Sequence, residues 1–124
     1  MCKYKYNFFE GLPRYKKALK TLLKKFRIPD KEFRVQFTQL RLNPFKGDKI
    51  PGFNHFWKYR IGIPKLNISK RDGFRLIYYI DIANKGIMPV YIYFKPDKDD
   101  LTHDEWDQLT KELDILLARK GQKR

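Results

Sequence analysis

The sequence predicts an α+β domain in the order β-α-α-β-β-β-α, a small antiparallel sheet with helices packed on one face. Three observations carry this. Apolar residues recur at helical spacing near each end of the chain, they alternate with period two in three segments between residues 56 and 95, and a turn-forming tripeptide joins the last two of those. A chain of 124 residues holds one core of ordinary size, so a single domain over residues 1–124 is expected.

Lys3 to Phe8 alternates, with Tyr4, Tyr6 and Phe8 on one face, and reads as a short first strand. Gly11-Leu12-Pro13 breaks it, and Pro13 suits the first turn of a helix. Tyr15, Leu19, Leu22, Leu23 and Phe26 then form an apolar stripe opposite Lys16, Lys17, Lys20, Lys24 and Lys25. Those lysines suit either a solvated face or a track for phosphates. Pro29-Asp30 closes this helix and offers Asp30 as the next N-cap. Residues 32–42 fit a helix through Phe33, Phe37 and Leu40, or a strand through Phe33, Val35 and Phe37. Asn43-Pro44 as a stop favours the helix. Residues 43–53, with two prolines and two glycines, read as a loop.

Three strands are expected next. The first buries Trp57, Tyr59, Ile61 and Ile63 and turns Lys58 and Arg60 outward. In the second, Phe74, Leu76, Tyr78, Ile80 and Ile82 share one face, with Arg75, Ile77, Tyr79 and Asp81 on the other. In the third, Val90, Ile92 and Phe94 face inward, while Tyr91, Tyr93 and Lys95 face away. Asn84-Lys85-Gly86 reads as the hairpin turn between the last two. Thr102-His103-Asp104-Glu105 is a capping box, opening a helix with Trp106, Leu109, Leu113 and Leu116 on one face.

Composition excludes several classes. Hydrophobic residues make up 42% and aromatics 16%, too rich for a disordered basic tail. No apolar run reaches membrane-spanning length, and Lys3 and Lys5 sit where a signal peptide's apolar region would begin, so no membrane role and a cytoplasmic location are expected. A single cysteine, Cys2, excludes an internal disulfide and a multi-cysteine zinc site. The net charge is +14, and it is uneven. Residues 1–50 carry 14 basic and 4 acidic side chains, residues 51–96 carry 8 and 2, and residues 97–124 carry 6 and 8. Such a field points to a polyanion partner, because each neutralised phosphate releases counterions.

If the three strands are neighbours, Lys58, Arg60, Arg75, Tyr79, Tyr91, Tyr93 and Lys95 share the face away from the core. Cations interleaved with tyrosines suit RNA: the cations hold phosphates and the rings stack on unpaired bases. His55 and His103 have no partner at helical spacing, the lone Ser69 lacks a nucleophile-elbow pattern, and no phosphate-binding glycine loop is present. The acidic run Asp97, Asp99, Asp100, Asp104 and Glu105 lacks calcium-loop spacing and reads as favourable charge at a helix N-terminus, so no metal and no cofactor are expected. Metal-free RNA cleavage remains open. The ribose 2′-OH attacks its own 3′ phosphate, and this needs a base, cations for the developing charge, and an acid for the leaving 5′ oxygen. A lysine among cations has a lowered pKa and can move a proton without histidine.

The run Trp57-Lys58-Tyr59-Arg60, the segment Lys70-Arg71-Asp72-Gly73-Phe74-Arg75-Leu76-Ile77-Tyr78-Tyr79, and Val90-Tyr91-Ile92-Tyr93-Phe94-Lys95 before Asp99-Asp100-Leu101-Thr102 together resemble the RelE superfamily of bacterial toxin–antitoxin toxins. The HigB-like branch looks nearest, since Asn43-Pro44, Gly47 and Ile50-Pro51-Gly52 also fit its loop before the second strand. The resemblance implies a RelE/ParE-like fold and a ribonuclease that cuts mRNA on the translating ribosome, is held inactive by a cognate antitoxin protein, and is a monomer when free. It implies Arg75 as the phosphate-stabilising arginine, Lys58 and Arg60 for proton transfer and phosphate contact, and Lys95 as the basic residue ending the last strand. Tyr79, Tyr91, Tyr93, Lys98, Lys70 and Arg71 are the accompanying RNA-binding candidates. Many members carry a tyrosine or histidine after the last strand. This chain has Lys95-Pro96-Asp97-Lys98 there, which leaves Tyr79, Tyr91 or Tyr93 as substitutes. Two other readings fit the same fold: a ParE-like inhibitor of DNA gyrase, and an RNA-binding domain without catalysis.

Overall fold

Residues 6–53 and 55–119 are described by a computed structural model. The elements are β1 (Asn7–Phe8), α1 (Pro13–Phe26), α2 (Asp30–Leu42), β2 (Asp48–Lys49), β3 (Trp57–Ile61), β4 (Phe74–Asp81), β5 (Gly86–Phe94) and α3 (His103–Arg119). The class is α+β, and the expected order holds with one insertion: β2 lies in the segment read as a loop, where Asp48 and Lys49 pair with Lys58 and Trp57. The five strands form one sheet in the order β1-β5-β4-β3-β2. It is mixed rather than wholly antiparallel, because β1 runs parallel to β5. Of the first strand expected over Lys3–Phe8, residues 7 and 8 are strand, and Lys3, Tyr4 and Lys5 lie outside the described residues.

Local chemistry explains the helices. Pro13 opens α1 at its first turn, and Arg27 closes it in a left-handed conformation with φ 52°. The cap of α2 is Pro29, not Asp30. Asp30 is the first helical residue, and its carboxylate receives Arg34 one turn on at 2.6 Å. The ambiguity over residues 32–42 resolves as helix: Phe33, Phe37 and Leu40 are buried, whereas Val35, which a strand would have buried, is 58% exposed. In α3 the capping box forms as expected, with Thr102 N–H donating to Glu105 Oε1 (2.9 Å) and Glu105 N–H to Thr102 Oγ1 (3.2 Å). Its fourth buried residue is Leu117, with Leu116 on the flank.

One sheet face packs on α1 and α2. Phe74, Leu76, Tyr78 and Ile80 of β4 join Tyr59, Ile61, Ile87 and Ile92 beneath Tyr15, Leu22, Phe33, Phe37 and Leu40. Ile82, expected among them, lies past the end of β4 and is 65% exposed. The other face is covered as well, which corrects the expectation that the helices share one face. Ile77, Met88, Val90 and Tyr93 pack under Trp106, Leu109, Leu113 and Leu117 of α3. The physical reason is a bulge. Ile77 pairs with Tyr91 and Tyr78 with Pro89, so Val90 is an extra residue in β5. A one-residue slip inverts facing, so Val90 joins Met88 on the α3 side instead of Ile92 and Phe94. That gives the second face enough apolar surface to require a helix.

Candidate functional site

The α3 side of the sheet is apolar at one end and basic at the other. Cross-strand partners share a face, and the register places Lys58 opposite Ile77, Arg60 opposite Arg75, and Arg75 opposite Tyr93. Lys95 follows β5 directly, and its N–H donates to the Gly73 carbonyl at 2.9 Å, which holds it at the same end. Lys58, Arg60, Arg75, Tyr93 and Lys95 are therefore brought together. Tyr91 lies beside Tyr93, their rings 6.2 Å apart and nearly parallel. Tyr79 does not join them. It pairs with Met88, about 13 Å along β4 from Arg75, against the apolar half of the face.

Arg75 is 4% exposed. Its Nη1 donates to the carbonyls of Lys70 (2.8 Å) and Phe74 (3.2 Å), and its Nη2 to that of Arg71 (2.7 Å). The guanidinium thus folds the basic loop 70–73 around itself, while the Lys70 and Arg71 side chains are exposed. Burial, and next the neighbouring charge of Arg60, lowers its pKa from the ordinary arginine value. Gly73 makes the tight entry possible, since a Cβ there would collide with the carbonyl oxygens of Ile61 and Ser69. Arg60, by contrast, is exposed. The arginine facing solvent is the one from β3, while its cross-strand partner Arg75, expected to touch phosphate, is buried against the loop carbonyls.

Tyr93 is also 4% exposed, and its hydroxyl has no hydrogen-bond partner among the described residues. Burial foremost, then the charge of Asp100, pushes it up to about 12. A buried hydroxyl without a partner costs free energy in the folded chain, and such groups mark places where fold and function compete.

The lysines are engaged by carboxylates of the turn after β5 and of the first turn of α3. Lys58 Nζ lies 3.4 Å from Asp100, Lys95 Nζ 3.1 Å from Asp99, Lys98 Nζ 2.9 Å from Glu105, and Lys25 Nζ of α1 2.6 Å from Asp97. The acidic run, read from sequence as helix N-terminal charge, therefore does two jobs: Glu105 closes the capping box and Asp97, Asp99 and Asp100 face the basic end of the sheet. The signal available in the sequence was the alternation of lysine and aspartate over residues 95–100. Lys25 belongs to the lysine face of α1 that suits either solvent or phosphates, but its contact with Asp97, 72 positions away, has no local signal. A groove of about 440 Å³ separates α1 from β5, lined by Arg14, Lys17, Lys25, Tyr91, Tyr93 and Lys98 among others. Arg14 bridges its far side through a two-pronged contact with Glu112 of α3 at 2.7 and 3.1 Å. The expectation that His103 has no partner at helical spacing is corrected here: its Nδ1 lies 3.2 Å from Asp107 one turn on, and the exposed His103, Asp104 and Asp107 put ligand atoms within 4.8 Å of one another, as i, i+1 and i+4 residues of one helix do.

No family model matches the chain. Among solved structures it is similar to the E. coli toxin RelE, determined in the free state as a mutant with two arginines replaced by alanine. The identity is 14%, the alignment covers 87% of this chain and 93% of that one, and the TM-score is 0.46. No helix among the described residues is long and apolar enough to cross a membrane.

Proposed function

We propose that this chain is the toxin of a type II toxin–antitoxin module, a metal-independent endoribonuclease that cuts mRNA on the translating ribosome. The observation that carries the reading is the cluster of Lys58, Arg60 and Lys95 around Arg75 and Tyr93 at one end of the sheet. In the proposed reaction the substrate's 2′-OH attacks the adjacent phosphorus and loses its proton to a base. The bond to the 5′ oxygen breaks with protonation of that oxygen, leaving a 2′,3′-cyclic phosphate and a 5′-hydroxyl end. Arg60 and Lys95, both reachable from solvent, stabilise the charge that gathers on the phosphoryl oxygens. Lys58, with its side chain 23% exposed between Asp100 and the arginine pair, is the proton-transfer candidate. Arg75 is a positioning residue that holds loop 70–73 and adds its charge from beneath. The +14 charge supports both an mRNA substrate and an acidic antitoxin segment that folds on binding.

The test is 5′-end mapping of a defined mRNA in a reconstituted translation reaction, with and without ribosomes, using wild type and Arg60→Ala. Cuts that need both ribosomes and Arg60 support the reading. Cuts without ribosomes keep the nuclease and remove the ribosome requirement. No cuts from folded protein overturn the nuclease. Loss of supercoiling in a gyrase assay would then favour the ParE-like alternative.

A further inference from the structure

Three aspartates within four residues reach three different elements. Asp97 holds Lys25 of α1, Asp99 holds Lys95 at the end of β5, and Asp100 holds Lys58 of β3. Their carboxylates lie along the basic end of the sheet, where phosphates would bind under the proposed function, on which this inference rests. The charges of Asp100 and Asp99 act on the buried Tyr93 hydroxyl, which has no hydrogen-bond partner among the described residues. None of the three is held tightly. The side chains of Asp97, Asp99 and Asp100 are 52%, 92% and 56% exposed, and exposed pairs of this kind are weak.

We propose that the run Asp97–Asp100 is a built-in stand-in for the polyanion: in the free protein its carboxylates sit on Lys25, Lys95 and Lys58, and RNA phosphates replace them on binding. Two consequences follow. Lys25 becomes a phosphate contact, which extends the site from the sheet onto α1 and along the groove between α1 and β5. Free protein is also protected from indiscriminate nucleic-acid binding despite its charge, since a ligand gains only the difference between a phosphate and a resident carboxylate.

Binding of a labelled single-stranded oligoribonucleotide and of inorganic tripolyphosphate to the full chain, at several salt concentrations, tests this without requiring cleavage. The variant is Asp99→Asn with Asp100→Asn. Asp107→Asn with Asp114→Asn removes the same charge from α3, away from the three lysines. The stand-in predicts oligoribonucleotide binding tighter by about tenfold in the first variant and by no more than about twofold in the second. The slope of log K against log salt should change little in the first variant, because the complex holds the same phosphates, whereas each lysine contact removed outright flattens it by about 0.7. Lys25→Gln should weaken binding and flatten the slope by a similar amount. Asp97→Asn with Asp99→Asn spares the Asp100 contact with the Leu101 N–H (2.7 Å) and repeats the test if the first variant melts early. Equal tightening in both aspartate variants overturns the stand-in and leaves the RNA reading intact. Gain on tripolyphosphate with no oligoribonucleotide binding by any variant supports the stand-in and removes the RNA reading. No gain on either probe overturns the stand-in.

Discussion

The two faces of the sheet are built to different standards. Toward α1 and α2, every inward residue of β4 is apolar or satisfied: Phe74, Leu76 and Ile80 are buried among hydrocarbon, and the Tyr78 hydroxyl donates to the Pro44 carbonyl at 2.6 Å. Toward α3, β4 buries a guanidinium, β5 buries a hydroxyl with no partner among the described residues, and β5 is bulged. Along β4 the first face follows period-two alternation through Phe74, Leu76, Tyr78 and Ile80, as a surface built for stability does. The second departs from local rules where the candidate chemistry is, as expected when function draws on the stability supplied elsewhere.

Several experiments would break or sharpen this contrast. Phe74→Ala, on the apolar face, should cost about 3–5 kcal/mol in denaturant unfolding, with cleavage per folded molecule unchanged. A small cost would mean that this face is not the main source of stability. Arg75→Ala should cost about 2–3 kcal/mol, because the carbonyls of Lys70, Phe74 and Arg71 lose their donor. Loop 70–73 should become more susceptible to protease, whereas a merely catalytic Arg75 would leave stability unmoved. Arg60→Ala should show the reverse pattern: stability within about 0.5 kcal/mol of wild type, and cleavage down by about a hundredfold.

The two buried tyrosines give a subtler comparison, read in the same unfolding assay. Tyr78→Phe removes a made hydrogen bond and should destabilise by about 1 kcal/mol. Tyr93→Phe removes an unmade one and should be neutral or stabilising by about 0.5 kcal/mol, while RNA binding weakens if the hydroxyl serves ligand. The same sign for both would contradict the contrast between the faces. The smallest effect is at Glu112, whose carboxyl is held below its ordinary value of 4.5 chiefly by the hydrogen bond from Arg14. A depressed carboxylate contributes stability above its unfolded pKa and loses it as pH falls through the folded one. Arg14→Gln should therefore be less stable than wild type at neutral pH, and the gap should close below pH 4.5. A gap that persists in acid would assign the contact to packing rather than charge.

Much of this was legible before any coordinates. The apolar stripes of α1 and α3, the hairpin and the capping box are written in spacings of two to four residues, so they could be read from neighbours alone. The clustering of Lys58, Arg60, Arg75 and Lys95 followed from period-two facing once three strands were assumed adjacent. Val90 was misassigned because a bulge leaves no mark in a single sequence. Tyr79 lies on the expected face but away from the cations, because strand parity fixes the face and says nothing of the distance along it.

By itself the sequence determined the class, the element order apart from β2, and which face of the sheet gathers positive charge, because periodicity, capping and composition act over short range. The tertiary structure alone decided that α3 covers the second face, that Arg75 is buried while its cross-strand partner Arg60 is exposed, and that Asp97, Asp99 and Asp100 meet Lys25, Lys95 and Lys58. Those outcomes depend on register, on one extra residue in β5, and on contacts between groups up to 72 positions apart. No local pattern carries them, because they come into being only when the sheet closes against its helices.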